Sequence, residues 1–247
     1  MKVDKALNKL YLCGMLDFLF KTISFAESGF FQEYTDWHCH VLPGVDDGIK
    51  NIEDSLAVLD NYERAGIREV WFTPHIMEDI PNTTASLRQV FTNLQVAYKG
   101  SLRLHLASEN MLDSLFDERL ASGDLLPYDG HRLLVETSYF NPPMDLHGIF
   151  KRIQSAGFHP VLAHPERYMY MDFREYQTLR ANGVFFQINI PSLYGAYGPD
   201  VQAKSMKLLS SGMYDVTGTD IHRTLSLQHI LEADLRPKVF RKLEELK

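Results

Sequence analysis

From position 34 onward, short apolar runs alternate with longer stretches in which apolar residues recur every three or four positions. Runs of the first kind predict strands over 34–40, 68–74, 102–108, 132–137, 159–163, 184–189 and 214–219. Stretches of the second kind predict helices over 52–65, 84–98, 144–156, 173–181, 201–211 and 225–246. Gly66, Gly157, Gly183 and Gly212 stand just beyond four of these helices, where a left-handed residue commonly ends the last turn. The alternation, unbroken by any internal repeat or long linker, points to an α/β fold: a distorted seven-stranded (βα) barrel, TIM-barrel-like, in one domain over 34–247.

Residues 1–33 form a separate N-terminal segment. Leu12, Met15, Leu16, Leu19, Phe20 and Ile23 fall at helical spacing, so an amphipathic helix is expected there. Asp17 and Lys21 leave that run too short and too polar to span a bilayer, which takes about 20 apolar residues. Asp17 also sits where the centre of a secretory signal would be apolar. Two readings stay open: the stripe packs on the barrel, or it makes peripheral contact with a membrane surface.

The apolar runs have an unusual ending. Those over 37–40, 70–75, 104–109, 133–136, 161–164 and 216–222 each close on an imidazole or a carboxylate. Barrels of this kind carry their active sites at the C-terminal ends of the strands. His38, His40, His75, Glu109, Glu136, His164, Asp220 and His222 are therefore expected to meet at one mouth. Strand periodicity puts His38 and His40 on one face, able to share a cation, and turns Cys39 away. A nitrogen and oxygen donor set without thiolate fits Mn, Fe or Zn at a hydrolytic centre, with more than one divalent ion because carboxylates such as Glu109 can bridge.

Composition narrows the remaining classes. With 247 residues and 45% hydrophobic content the chain can bury one substantial core. A net charge of -7 provides no basic footprint for nucleic acid, so affinity for an anionic substrate must come from local cations or bound metal. Two cysteines, Cys13 and Cys39, are too few for a disulfide framework and fit a cytoplasmic setting.

Together these residues resemble a known family. The His38-Cys39-His40 start, His75 after Thr-Pro, Glu109, Glu136, the run from His164 through Glu166, Arg167 and Tyr168, and Asp220-Ile221-His222 are similar to the polymerase-and-histidinol-phosphatase superfamily. Within it, the stretch from His40 to Gly48 and the Glu166-Arg167-Tyr168 run resemble the bacterial capsule-type, metal-dependent tyrosine-protein phosphatases. The resemblance implies three metals: His38, His40, Glu109 and Asp220 at the first, Glu109, Glu136 and His164 at the second, Asp47, His75 and His222 at the third. Asp47 enters only this way, since Asp46-Asp47-Gly48 by itself reads as a solvated acidic turn, and Asp46 is left as a loop carboxylate.

Arg167, three residues beyond His164, is expected to bind phosphate bidentately, an ion pair with Glu166 being the alternative. Arg223 is a second candidate phosphate cation, although the family's further arginine is replaced here by Leu225-Ser226-Leu227. At least four of His105, His131, His147, His159 and His229 are expected to be structural or solvated, and Tyr139, Phe140, Tyr194 and Tyr197 to pack locally, stacking on a substrate ring being the alternative. A cysteine nucleophile is disfavoured, because the arginine such phosphatases carry six residues on is Val45 after Cys39 and Leu19 after Cys13.

The implied activity is hydrolysis of phosphotyrosine in a protein, with a bacterial tyrosine autokinase of capsular or exopolysaccharide synthesis as partner and manganese as first choice of metal. A small-molecule phosphomonoesterase of the histidinol-phosphatase kind is the alternative enzyme. A non-catalytic adaptor is a third reading, one in which metal ligands should have been lost; none of the nine is missing.

Overall fold

The computed structural model describes residues 21–247; the expected helix through Leu12, Met15, Leu16, Leu19 and Phe20, and Cys13, lie outside the described residues. Its strands are β1 (Ile23–Ser24), β2 (Thr35–Cys39), β3 (Glu69–Phe72), β4 (His75–Ile76), β5 (Arg103–Leu106), β6 (Glu109–Met111), β7 (Arg132–Glu136), β8 (His159–Ala163), β9 (Phe185–Asn189), β10 (Val216–Gly218) and β11 (Asp234–Leu235). A six-stranded sheet runs β10-β9-β8-β7-β6-β4 and a three-stranded sheet β2-β3-β5. Every pairing in both is parallel, so the larger sheet is a parallel half-barrel.

Two of the seven expected strands are each followed by a further short strand, and the count of seven gives way accordingly. The strand expected over 68–74 ends at Phe72 and a second begins at His75, while that expected over 102–108 ends at Leu106 and a second begins at Glu109. Pro74 has no N–H to place in a ladder, so the strand breaks there. Register survives the break: Phe72 pairs with Leu106 and His75 with Glu109, the Glu109 N–H donating to the Pro74 carbonyl at 3.1 Å. His75 and Glu109 therefore begin short strands rather than end long ones.

The helices follow the periodicity more closely. Ile52–Ala65 and Phe173–Ala181 form where expected, each capped by a side chain: Asn51 accepts the Asp54 N–H and Asp172 the Glu175 N–H. All four expected cap glycines have left-handed φ, between 64° and 95°. The single helix expected over 225–246 is instead two, Ser226–Glu232 and Pro237–Glu244. Between them Asp234–Leu235 pairs antiparallel with Ile23–Ser24, so Ile23, assigned to the N-terminal helical stripe, lies in a strand. Pro237 cannot continue a helix from the preceding residues but suits the start of one.

The core explains why the strands read as apolar runs. On β7 and β8, Leu133, Val135 and Leu162 belong to the large cluster beneath the helices, whereas Leu134, Val161 and Ala163 join Trp37, Trp71, Tyr128, Phe185 and Val216 in a second cluster. Both faces of the sheet are thus buried, as parallel sheets require.

Candidate metal centre

Backbone and side-chain ties bring residues 36–40 and 218–222 together at the mouth. Asp36 on β2 is fully buried and accepts the Tyr62 hydroxyl at 2.6 Å, the Thr219 N–H at 2.9 Å and the Thr219 hydroxyl, and burial pushes its carboxyl up. The Asp220 N–H donates to the His38 carbonyl at 2.8 Å and the His40 N–H to the Ile221 carbonyl at 2.9 Å. These bonds set His38 and His40 against Asp220 and His222. Gly218 and Gly48 permit the approach: a Cβ would lie 2.4 Å from the His38 Cβ at the first and 2.1 Å from the His40 carbonyl oxygen at the second.

Hydrogen bonding fixes the ring nitrogens of this pair. His38 Nδ1 lies 2.9 Å from Gln187 Oε1, which can only accept, and His40 Nδ1 lies 2.8 Å from Asp46 Oδ2. In each neutral ring the proton therefore sits on Nδ1 and the Nε2 carries a lone pair. The two Nε2 atoms face one another at 3.0 Å, both 3.2 Å from Glu109 Oε2 and 3.6 and 3.4 Å from Asp220 Oδ1. Two buried lone pairs between two carboxylates require a cation, so this donor set fits a metal ion.

The remaining candidate ligands extend the cluster around Glu109, which is fully buried. Its Oε1 is 2.8 Å from His164 Nε2 and its Oε2 3.2 Å from His75 Nδ1. His75 Nδ1 and Glu136 Oε1 are 2.9 Å apart, yet neither makes an aligned hydrogen bond, the arrangement expected of donors converging on a shared ion. His40, Asp47, His75 and His222 group on the outer side, with Asp47 Oδ1 3.4 Å from His222 Nε2 and 3.6 Å from His75 Nε2. All nine expected ligands are therefore brought together, with a finer grouping than the resemblance implies. His75 stands between Glu136 and Asp47, and His164 is closer to Glu109 than to Glu136, 3.9 Å away.

His164 and Asp220 reach inward through left-handed backbone, at φ 34° and 52°, a conformation that costs a non-glycine residue about 1–3 kcal/mol and recurs at functional sites.

Asp46, left as a loop carboxylate on sequence grounds, orients the site. Besides His40 Nδ1 it accepts the Gly48 N–H at 2.9 Å and the His75 N–H at 3.1 Å, and despite its burial His40 helps hold its carboxyl down at about 2. Only the Asp-Asp-Gly turn hinted at it. Asp46→Asn should fold normally and lose about 10–100-fold in metal affinity, as carboxylates behind histidine ligands do. Metal titration followed by calorimetry measures this, and an unchanged affinity would refute the role.

Electrostatics make proton and metal competitors here. Burial opposes charge on His38, but Glu109 and Asp220 outweigh it and push the ring up to about 9. Glu109 and Glu136 likewise raise His75 to about 10 against burial, and, again against burial, the interaction of His222 with the Asp47 carboxylate and the charge of Asp220 raise His222 to about 9. Glu109, although buried, is held far below the carboxylate range by His38 and His75.

A ring whose folded pKa lies above its unfolded value of about 6.5 stabilises fully below that pH and loses this contribution as pH climbs through 9 to 10. A depressed carboxylate stabilises above about pH 4.3 and is lost as pH falls. Chelator-treated protein should therefore melt highest between about pH 4.5 and 6.5 and several degrees lower near pH 9.5. Metal-loaded protein should lack the alkaline fall, because binding displaces those protons. Equal melting temperatures at pH 6 and 9.5 after chelation would rule this out.

Arg167 stands at the opening of a cavity of about 400 Å³ that is lined by Asp47, His75, Glu109, Glu136, His164, Asp220 and His222. Its guanidinium lies between two tyrosine rings, 4.1 Å from the centroid of Tyr139 and 4.4 Å from that of Tyr197, and 3.4 Å from Asp220. Glu166 is not its partner: that carboxyl is buried and accepts the Asn189 N–H and the Tyr214 hydroxyl, both at 2.9 Å. Tyr139 and Tyr197, expected first to pack locally and otherwise to stack on a substrate ring, line the cavity. Asn189 donates to Asp220 at 2.6 Å.

Arg223 is exposed and is not among the cavity's lining residues. His105 stacks on Trp71 at 4.5 Å and His147 pairs with Glu175 at 2.9 Å, both away from the centre. Cys39 is fully buried in the core, and burial pushes its thiol well up, unlike a nucleophile.

A family model described as capsular polysaccharide synthesis, CpsB/CapC, matches residues 34–236. Over 196 residues, 76% of either chain, the sequence is 30% identical to the tyrosine-protein phosphatase YwqE of Bacillus subtilis. The fold superposes with TM-score 0.70 and 26% identity on a chain from the crystal structures of Bacillus subtilis YwqE and Streptococcus pneumoniae CpsB, metal-dependent tyrosine phosphatases, covering 87% of this chain and 96% of that one. The phosphotriesterase homology protein of Escherichia coli shares the fold alone, at TM-score 0.51 and 12% identity over 81% of this chain and 86% of that one.

Proposed function

The chain belongs to the CpsB/CapC family of capsular polysaccharide synthesis, and from that premise we propose that it is a metal-dependent phosphatase acting on phosphotyrosine in proteins. The observation that carries this reading is the pair of buried Nε2 lone pairs, 3.0 Å apart between Glu109 and Asp220, with the guanidinium of Arg167 3.4 Å from the same Asp220 carboxylate. His38, His40, Asp47, His75, Glu109, Glu136, His164, Asp220 and His222 would hold divalent cations, three by the family resemblance, with manganese first and iron or zinc as alternatives. Such ions supply Lewis acidity that acidifies water and draws charge from phosphoryl oxygens.

The chain's own residues do the rest. Arg167 grips the phosphoryl group with its planar fork and neutralises charge developing there, while Tyr139 and Tyr197 hold the guanidinium in place beside the cavity they line. Asp46 and Gln187 hold the rings of His40 and His38 in one tautomer. Buried Cys39 takes no part, so no cysteinyl-phosphate forms, and the phosphoryl group passes to water.

In this reading the two parallel sheets are halves of one distorted barrel, joined where Asp220 and Ile221 bond to His38 and His40. The partner is a bacterial tyrosine autokinase, the setting is the cytoplasm, and the N-terminal stripe of Leu12, Met15, Leu16, Leu19 and Phe20 provides a peripheral membrane contact.

Turnover of a phosphotyrosine peptide against histidinol phosphate, with Mn²⁺ supplied, tests the assignment. The peptide should be preferred and Cys39→Ser should keep its activity. Preference for histidinol phosphate would replace the reading, and loss of activity in folded, metal-loaded Cys39→Ser would end the water mechanism.

A further inference from the structure

Beside the catalytic cavity a second cleft of about 380 Å³ opens between the segment after β7 and the turn after β8. Pro142, Pro143, Met144 and Met171 make its apolar surface, and Asp172 and Glu175 stand among its walls. Both walls continue those of the cavity: Tyr139 lines the cavity and Pro142 the cleft, while Arg167 lines the cavity and Tyr170 the cleft. Three residues of chain reach at most about 11 Å, so the two openings are neighbours. Tyr139 stacks on Tyr168 at 5.9 Å and Tyr170 hydrogen-bonds Thr137, which ties one wall to the other.

Apolar exposure concentrates on the same side. Phe140 is 85% exposed, Met144 fully and Met169 half; Leu115, Tyr197 and Leu225 also lie on segments following strands, leaving only Val96 elsewhere among the described large hydrophobic residues. Surface of this kind around an opening marks a contact site for another chain. Continuity with the cavity identifies the occupant as the polypeptide whose phosphotyrosine enters it.

We propose that the cleft is a specificity subsite for that polypeptide, holding an apolar side chain two to four residues from the phosphotyrosine. The proposal rests on the phosphotyrosine-protein reading above. An extended chain advances about 3.3–3.6 Å per residue, so two to four residues span roughly 7–14 Å, a range that brackets the bound of about 11 Å. Glu175 is paired with His147, and the exposed carboxylate of Asp172 beside it adds an acidic group at the opening that disfavours acidic residues in this stretch.

Peptides with one phosphotyrosine and either Leu, Gly or Asp at positions two to four on each side provide the test, with p-nitrophenyl phosphate as a substrate too small to reach the cleft. The Leu peptide should exceed the Gly peptide about tenfold in kcat/KM, chiefly through KM, from partial burial of its side chains. The Asp peptide should be poorest. Met144→Asp and Phe140→Ser, both at exposed positions, should erase the Leu preference and leave p-nitrophenyl phosphate turnover unchanged.

Equal kcat/KM for Leu and Gly peptides overturns the subsite, as does an equal loss on the small substrate. A change in sedimentation of the free chain on Met144→Asp would assign the surface to a second copy instead. Failure of the metal-supplemented protein to hydrolyse either substrate would overturn the phosphatase reading itself, whereas flank-independent peptide hydrolysis removes the subsite alone.

Discussion

Glu109→Gln is expected to lower kcat/KM on a phosphotyrosine peptide by at least about 10³-fold, more than the 10–100-fold typical of residues one step behind a metal ligand. The carboxylate lies within 3.2 Å of nitrogens on His38, His40, His75 and His164, so it is the one group common to most of the cluster. Glutamine keeps the volume but gives up the negative charge, and its NH₂ would point a donor where at least one lone pair is needed. Metal content measured on the purified variant should fall together with activity. The buried imidazoles also lose their counter-charge, and breaking such a pair costs about 3–5 kcal/mol, so the chelated variant should melt lower than chelated parent. Full metal content with activity within tenfold of the parent would remove Glu109 from the centre.

Arg167→Lys should cost about 10²–10³-fold in kcat/KM while leaving metal content and melting temperature near the parent's. Lysine preserves the charge but lacks the planar fork that binds two phosphoryl oxygens and stacks between the rings of Tyr139 and Tyr197. The loss should therefore appear in kcat as well as KM. Arg223→Lys is the internal comparison: exposed and off the cavity wall, Arg223 should tolerate the change with less than about a twofold effect, in line with ordinary surface substitutions. Equal losses at the two positions would mean that charge near the opening, rather than the held guanidinium, is what matters.

Much of this site was legible because barrel geometry converts sequence position into spatial position. Once strand and helix alternate, a His or a carboxylate at the end of an apolar run falls at one mouth, and the nine ligand positions assemble there. Spacing could not supply Asp47, which sits in a loop and stays largely exposed; the family resemblance supplied it. Nor did spacing separate Asp46 from Asp47, since adjacent acids in an Asp-Gly turn look alike until one bonds to His40 and the other turns toward His75 and His222. The divided strands at Pro74 and the divided C-terminal helix at Pro237 were readable in principle, but each needs a pairing partner to show which side of the proline continues.

Period and polarity by themselves determined the kind of element, the order of elements and the residue types at the strand ends, because these depend on neighbours a few positions apart. Tertiary structure decided the contacts between distant segments: Gln187 fixing the tautomer of His38, Asn189 and Arg167 meeting at Asp220, and Tyr139 and Tyr197 closing on Arg167. Those partners are separated by tens to more than a hundred residues. Which of them meet follows from how the sheets close and where His164 and Asp220 turn left-handed, and no local pattern in the chain encodes either.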